Sequence, residues 1–190
     1  MLPGRTSPAL RHRPCLMSGG FCADGGSMNG TALKGLFRQV FALPAGLTGH
    51  QQQLIRASFE RLLPIQEAAA ALFYERVFAL DPGLTTLFKE DMNEQSRKLM
   101  VALRTVVDHS HCLGRLVPAL RELGRRYDSV GATDRDYDTV AAALIWTLEQ
   151  ELGADLTAET RDAWTACYGI LADEMKAAAH ESRMPVLPPS

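Results

Sequence analysis

The chain has no strong charge of one sign and no long apolar run. Lys and Arg total 20 residues against 22 Asp and Glu, which leaves a net charge of −2 at pH 7. This balance gives no electrostatic basis for binding nucleic acid. No apolar stretch approaches the roughly 20 residues that a bilayer-spanning helix needs. We therefore expect no nucleic-acid partner and no membrane span.

Cysteine is scarce, with four residues in 190: Cys15, Cys22, Cys112 and Cys167. Two lie in an irregular N-terminal region and two in separate predicted helices, so neither a zinc-type spacing nor a disulfide framework is present. Unpaired thiols are typical of a reducing compartment. We expect a cytoplasmic protein.

Sequence motifs of common enzyme classes are also missing. The chain has no glycine-rich phosphate loop, no HExxH, no serine nucleophile elbow and no metal-spaced His/Cys cluster. The segment DRDYD at 134–138 carries paired carboxylates, but the first turn of a helix favours acidic residues without any catalysis. We name no catalytic residue, and the sequence leaves open, while disfavouring, an enzymatic role.

The remaining composition is that of an ordinary globular protein, with 46% hydrophobic and 22% charged residues. Residues 1–47 are rich in Gly, Pro and Ser, and we expect them to be disordered apart from a short amphipathic helix over 33–43. That helix could rest on the following domain or make a weak membrane-surface contact. A helical domain is expected over 48–180, and a flexible tail over 181–190.

Apolar residues recur at helical spacing from Thr48 onward, with no period-2 stretch. The pattern predicts six or seven helices with short connections. Their stops are Pro64, Asp81-Pro82-Gly83, Ser129-Val130-Gly131 and Gly153, and Thr133 with Asp136 can cap a helix start. Periodicity alone does not distinguish a helical bundle from a globin.

Four stretches carry a family resemblance: FYERVFALDP at 73–82, LFKEDMNEQSRKLM at 87–100, LGRRYDSVGATDRDYDTV at 123–140 and DAWTACYGILA at 162–172. Together they resemble the globin domain of bacterial flavohaemoglobin-type proteins. Since no segment is left for flavin or nicotinamide sites, the single-domain branch of that family is the nearer comparison. The resemblance implies an all-α globin fold of six to eight helices around a haem pocket, with haem b as cofactor.

The resemblance assigns the distal side of that pocket to four residues. Tyr74 matches the tyrosine that hydrogen-bonds the gas ligand, and Gln95 matches a glutamine whose amide can donate to the ligand or to Tyr74. Leu99 lies one helical turn after Gln95 on the same stripe, against the ligand. Phe88 matches the corner phenylalanine that stacks on the porphyrin.

The proximal side departs from the family pattern. The residue that matches the proximal histidine is Tyr127, and no histidine occurs between His111 and His180. Tyrosine can bind haem iron as a phenolate, as in catalase, which favours ferric iron and weakens dioxygen binding. Three outcomes stay open: Tyr127 binds the iron, haem binds without that bond, or no stable haem is held.

Three further residues belong to the implied pocket. Lys98 and Arg126 could reach the haem propionates. Tyr137 matches a proximal tyrosine that acts in the family with a glutamate, whose place here is Ala179. Without histidine and glutamate the family's proximal triad is not assembled, so we do not expect fast nitric-oxide dioxygenase or peroxidase turnover.

The sequence therefore predicts a haem-binding globin that binds oxygen, nitric oxide or another diatomic gas, for oxygen binding and transport or for gas sensing. Sulfide binding and haem handling are further candidates for a mainly ferric protein. One alternative is a haem-free globin-fold interaction or sensory module. A second is a nitric-oxide dioxygenase or peroxidase with an external reductase. The reductase and a homodimer are the protein partners left open.

Overall fold

The computed structural model describes residues 46–88 and 91–183. They form six α-helices and, within those ranges, no strand: α1 Gly49–Leu62, α2 Gln66–Leu80, α3 Met92–Asp108, α4 Val117–Ser129, α5 Asp134–Leu152 and α6 Ala158–Arg183. Short 3-10 segments connect them at Leu63–Ile65, Pro82–Thr86, Ser110–Arg115 and Gly153–Asp155. None of the described helices is long and apolar enough to span a membrane.

The helix boundaries follow the stops in the sequence. Helix α1 ends at Leu62, two residues before Pro64, and α2 ends at Leu80, where Asp81 Oδ1 accepts the Gly83 N–H at 2.9 Å. Helix α5 begins after Thr133, whose N–H donates to Asp136 Oδ2 at 2.7 Å. Both the predicted breaks and the predicted cap are thus confirmed. The amphipathic helix predicted over 33–43 lies outside the described residues, as do residues 184–190 of the tail predicted over 181–190. Residues 181–183 of that tail belong to α6, which ends at Arg183.

The two terminal helices of the described region are joined through the core. The apolar face of α1, with Ile55, Phe59 and Leu62, is buried. Trp164 of α6 is 1% exposed, and its indole N–H donates to Ser58 Oγ at 2.9 Å. This bond satisfies the one polar atom of a large buried side chain, and it fixes the register of α1 on α6.

Helix α4 lies unusually close to α6. A β-carbon on Gly124 would lie 2.2 Å from the carbonyl oxygen of Met175, so only glycine allows this approach. Ion pairs flank the contact: the Arg121 guanidinium reaches Glu174 at 3.8 Å and also pairs with Glu181. The α4–α6 pair is accordingly the most extensively packed pair of helices in the described region.

Substitution of Gly124 by alanine tests this contact. Gly124→Ala should lower the free energy of unfolding by ~1–3 kcal/mol, because the helix backbones must separate to admit a methyl group. Gly169→Ala on α6 is the matched control, since a β-carbon there meets nothing within 4 Å. The control should raise stability by ~0.5–1 kcal/mol through helix propensity. Urea unfolding followed by circular dichroism measures both, and equal shifts would contradict the close contact.

Candidate functional site

Tyr74 is the first of the predicted pocket residues along the chain. It lies on α2, is 4% exposed, and its hydroxyl donates to the main-chain carbonyl of Gln95 at 3.3 Å. The expected convergence of Tyr74 with Gln95 is present, but the acceptor is the backbone of α3 rather than the side-chain amide. The Gln95 amide, half-buried, makes no hydrogen bond to another described residue. At 3.3 Å the bond is long for O–H···O.

Aromatic rings surround the Tyr74 phenol. Phe88, at the end of the turn after α2, meets the Tyr74 ring edge-on with centroids 5.4 Å apart. Phe78 stacks on Tyr74 at 6.1 Å and contacts Phe88 at 5.9 Å. Sequence reasoning missed Phe78, although its position one turn after Tyr74 on α2 was a usable signal. The structure thus brings Tyr74, Phe88 and the Gln95 backbone together, and Leu99 follows Gln95 by one turn on α3. Their roles toward a haem and its ligand stay predictions.

Tyr127 lies on the other side, on α4, one turn after Gly124. It packs against a small apolar cluster formed by Tyr137, Ala172 and Met175. Burial raises the pKa of the Tyr127 phenol, and the adjacent Arg126 guanidinium offsets this only in part. Without a bound cation the phenol is therefore neutral at physiological pH.

The hydroxyl of Tyr137 is buried and has no hydrogen-bond partner among the described residues. Burial raises the pKa of Tyr137, and the nearby Tyr127 adds to the effect. The backbone at Tyr137 is fixed, since its carbonyl accepts the hydroxyl of Tyr168 at 2.8 Å. Sequence reasoning missed Tyr168, which lies on the inner face of α6. Three phenols therefore meet on this side, and one of them has an unused donor.

Half-buried apolar side chains line the space between the two sides. One row is on α3, with Leu99, Leu103 and Val106, and another is on and just before α4, with Leu116, Leu120 and Leu123. Helices α3 and α4 are not among the closely packed pairs of the described region, and most of the second row belongs to a separate apolar cluster. Since α3 and α4 are not closely packed, these half-buried rows border a gap between the two helices, which is called the cleft below. A gap with apolar walls suits a flat, largely apolar group.

The basic residues assigned to the haem propionates are exposed. Lys98 Nζ is 4.0 Å from Glu94 Oε1, and its side chain is 50% exposed. Arg126 is exposed on α4 next to Tyr127. Both stand on helices that border the cleft, and their roles toward a propionate stay predictions.

Each described histidine contacts a residue other than the tyrosines of the cleft. His50 contacts Glu159 at 3.3 Å, His109 contacts the Thr105 carbonyl at 2.8 Å, His111 contacts Cys112 at 3.3 Å, and His180 contacts Asp134 at 3.2 Å. Residues 46–88 and 91–183 contain no group of three His, Cys, Asp or Glu side chains that could hold a metal ion. The donors that face the cleft are phenols.

This donor set fits a ferric haem. A phenolate is a hard anionic ligand of the kind that catalase uses, and Tyr127 can supply it. The unpartnered Tyr137 hydroxyl, in the same cluster, could donate to that anion once formed. The apolar rows of α3 and α4 would cover the faces of a porphyrin.

Comparison with known proteins places the chain in a family. The family model described as "Globin" matches residues 71–175. Neuroglobin from Chaenocephalus aceratus is 30% identical over 143 residues, covering 68% of this chain and 90% of that protein, and neuroglobin from Danio rerio is 29% identical over the same shares. A solved hexacoordinated heme protein from an anhydrobiotic tardigrade, at pH 4, has a TM-score of 0.63 at 16% identity, and the match covers 70% of this chain and 96% of that one. This likeness shows the shared fold, with the all-helical architecture that the sequence predicted.

Removing the Tyr137 hydroxyl tests whether this group destabilises the haem-free protein. Tyr137→Phe should keep or raise the free energy of unfolding, by up to ~1 kcal/mol, because an unpaired buried polar group is lost. Tyr168→Phe should lower it by ~0.5–1.5 kcal/mol, because its hydrogen bond to the Tyr137 carbonyl is lost. Thermal unfolding of the two variants without haem checks the difference in sign. A loss in Tyr137→Phe as large as in Tyr168→Phe would show that the hydroxyl has a partner in solution.

Proposed function

Because the chain belongs to the globin family, we propose that it binds haem b between α3 and α4 and takes up a diatomic gas on the side of Tyr74. A globin-fold match to a protein titled as a heme protein supports the cofactor. The proposal is carried by the absence of α3–α4 from the closely packed helix pairs of the described region, together with the half-buried apolar rows on these helices and the buried phenols of Tyr74 and Tyr137. Iron in the haem would supply the centre that binds the gas.

Tyr127 holds the iron in this proposal. The phenol loses its proton on binding, since its raised pKa keeps it neutral otherwise. An anionic donor at Tyr127 would favour ferric over ferrous iron and would weaken the affinity for dioxygen. Nitric oxide and sulfide, which also bind ferric haem, are the ligands that this arrangement favours. Oxygen transport is correspondingly disfavoured.

Tyr74 and Gln95 supply the polar contacts on the ligand side. The Tyr74 hydroxyl donates to the Gln95 carbonyl at 3.3 Å, a long hydrogen bond. It can turn from this carbonyl to a ligand that carries negative charge, where a donor in a dry pocket is worth more than in water. The Gln95 amide, which makes no hydrogen bond to another described residue, offers a second donor, and the rings of Phe78 and Phe88 pack against the phenol.

The comparison with flavohaemoglobin-type globins argues against an enzymatic role. Ala179 is 3% exposed on the inner face of α6, at the place where that family has a glutamate. A methyl group there can neither accept a hydrogen bond nor orient a proximal ligand. We therefore propose ligand binding, sensing or haem handling rather than rapid dioxygenase or peroxidase turnover, with the cytoplasm as the expected location.

Reconstitution with hemin tests the cofactor and its ligand together. The wild-type protein should give a high-spin ferric spectrum with a phenolate-to-iron charge-transfer band, and haem should raise the melting temperature. Tyr127→Phe should abolish the band, and Tyr168→Phe should keep it, because Tyr168 is already bonded to the Tyr137 carbonyl. No Soret shift and no thermal stabilisation in the wild type would instead indicate a haem-free interaction module. An unchanged band in Tyr127→Phe would exclude Tyr127 as ligand.

A second experiment addresses Tyr74. Tyr74→Phe should raise the dissociation rate of cyanide from the ferric protein by roughly 10-fold, because a hydrogen bond to a charged group contributes about 1.5 kcal/mol or more. Carbon monoxide on the reduced protein carries little charge, so its dissociation rate should change less. Stopped-flow displacement measures both rates. Equal effects on the two ligands would show that Tyr74 acts by shape and not as a donor.

A further inference from the structure

The connection between α4 and α5 begins three residues after Tyr127. It comprises residues 130–133, and Val130 at its start is 56% exposed. The Tyr127 carbonyl accepts the N–H groups of Val130 at 3.2 Å and of Ala132 at 3.0 Å. The backbone of Tyr127 is thus bonded to a short connection at the surface. Helix ends beside such connections fray unless another element holds them.

The last turn of α6 binds this part of the chain. The Arg183 guanidinium forms an ion pair with the Asp128 carboxylate through two of its nitrogen atoms, Nε and Nη2. The Nη2 group also donates to the Ala132 carbonyl at 3.3 Å. One side chain therefore binds the residue that follows Tyr127 and also the residue whose N–H reaches the Tyr127 carbonyl.

The ion pair between Asp128 and Arg183 is partly shielded from water. The side chain of Asp128 is 15% exposed, whereas that of Arg183 is 50% exposed. Removal of one partner from a shielded pair leaves a charge that water solvates poorly. Arginine suits this place because its planar guanidinium can donate to two acceptors at once. We therefore expect this pair to contribute more than a fully exposed ion pair does.

Tyr127 lies between two points at which α4 is held. One turn earlier, the missing β-carbon of Gly124 allows α4 to approach the Met175 carbonyl. One residue later, Asp128 is bound by Arg183. The first contact fixes how close α4 lies to α6, and the second fixes the last turn of α4. The direction of the Tyr127 side chain therefore depends on both.

The charge of Arg183 also acts on the phenol cluster. Burial is the largest cause that raises the pKa of Tyr137, and Tyr127 adds to the rise. The carboxylates of Asp134 and Asp128 raise the pKa of Tyr137 further, whereas Arg183 lowers it. Arg183 is thus close enough to the cluster to offset negative charge there. Negative charge would appear in this cluster if Tyr127 became a phenolate.

We propose that Arg183 is a positioning residue for the iron ligand: by binding Asp128 and the Ala132 carbonyl, it holds the last turn of α4 so that Tyr127 is presented to haem iron. This inference rests on the proposed function, because it assigns a role at the same site. Arg183 touches neither the iron nor the gas ligand and acts through Tyr127. The carboxyl end of α6 thereby determines how firmly the haem is held.

Hemin dissociation tests this role in the haem-loaded protein. Arg183→Gln should raise the rate of hemin transfer to an apomyoglobin acceptor by roughly tenfold, because a hydrogen-bonded ion pair is lost. Arg183→Lys keeps the charge but not the planar fork, so its rate should be intermediate. Arg161→Gln is the matched control and should behave as the wild type. Arg161 lies on the same helix, is 51% exposed and pairs with Glu149 at 2.8 Å.

Two further readouts separate positioning from a general loss of stability. In the ferric protein, Arg183→Gln should weaken the phenolate-to-iron band relative to the Soret band, since part of the haem would lack the bond to Tyr127. Global destabilisation would release haem without changing this ratio. In the haem-free protein, the Ala132 amide should exchange its hydrogen roughly threefold faster or more in Arg183→Gln. Arg161→Gln should alter neither the ratio nor the exchange rate.

The outcomes distinguish this inference from the proposed function. Equal hemin dissociation rates in Arg183→Gln and Arg161→Gln would overturn the inference alone, and so would an unchanged ratio of the two bands in Arg183→Gln. Faster exchange at Ala132 without faster hemin loss would overturn it as well, because the last turn of α4 would then not act on the haem. A wild-type protein that takes up no hemin would refute the proposed function, and this inference would fall with it.

Discussion

The approach of α4 to α6 at Gly124 is the constraint on which the arrangement of the cleft depends. The absence of a β-carbon brings the α4 backbone onto the Met175 carbonyl, and ion pairs between Arg121 and the glutamates of α6 hold the two helices together. Tyr127, one turn further along α4, is thereby carried into the cluster of Tyr137 and Met175. In the described region α4 packs on α6, and the pair α3–α4 is not among the closely packed helix pairs. The cleft lies between these two helices.

Helix boundaries could be predicted from residues close to them in the sequence, whereas the packing of the helices could not. Pro64, the Asp81-Pro82-Gly83 break and the Thr133–Asp136 cap act within a few residues, so their effect can be read without knowing the rest of the chain. The turn after α4 behaves in the same way, since Gly131 has a φ of +90° that glycine adopts easily. Gly124 is different. In the sequence it is a glycine inside a helical stripe, and its role depends on a carbonyl 51 residues away.

The site shows the same division between local and long-range information. The family resemblance predicted that Tyr74, Phe88 and Gln95 lie near one another, because it assigns all three to one side of a pocket. Spacing could not show that Tyr74 donates to a main-chain carbonyl, since that depends on how α2 crosses α3. Tyr168 was missed for a related reason. Its neighbours in the sequence do not indicate that its hydroxyl donates to a carbonyl on another helix. Interpretations that need a crossing geometry therefore lay beyond the sequence.

Which of the phenol hydroxyls have a hydrogen-bond acceptor says more about function than where the tyrosines lie. The hydroxyls of Tyr74 and Tyr168 each donate to a main-chain carbonyl, so folding accounts for both. That of Tyr137 has no acceptor in the described region, and a buried unpaired hydroxyl costs about 1–3 kcal/mol. Phenylalanine at position 137 would fill the same apolar space without this cost. The stability of the haem-free protein therefore does not explain why residue 137 carries a hydroxyl group. A hydrogen-bond acceptor that enters the cleft would explain it. A phenolate formed at Tyr127 on binding iron would be such an acceptor, and it would form only when the cofactor is present.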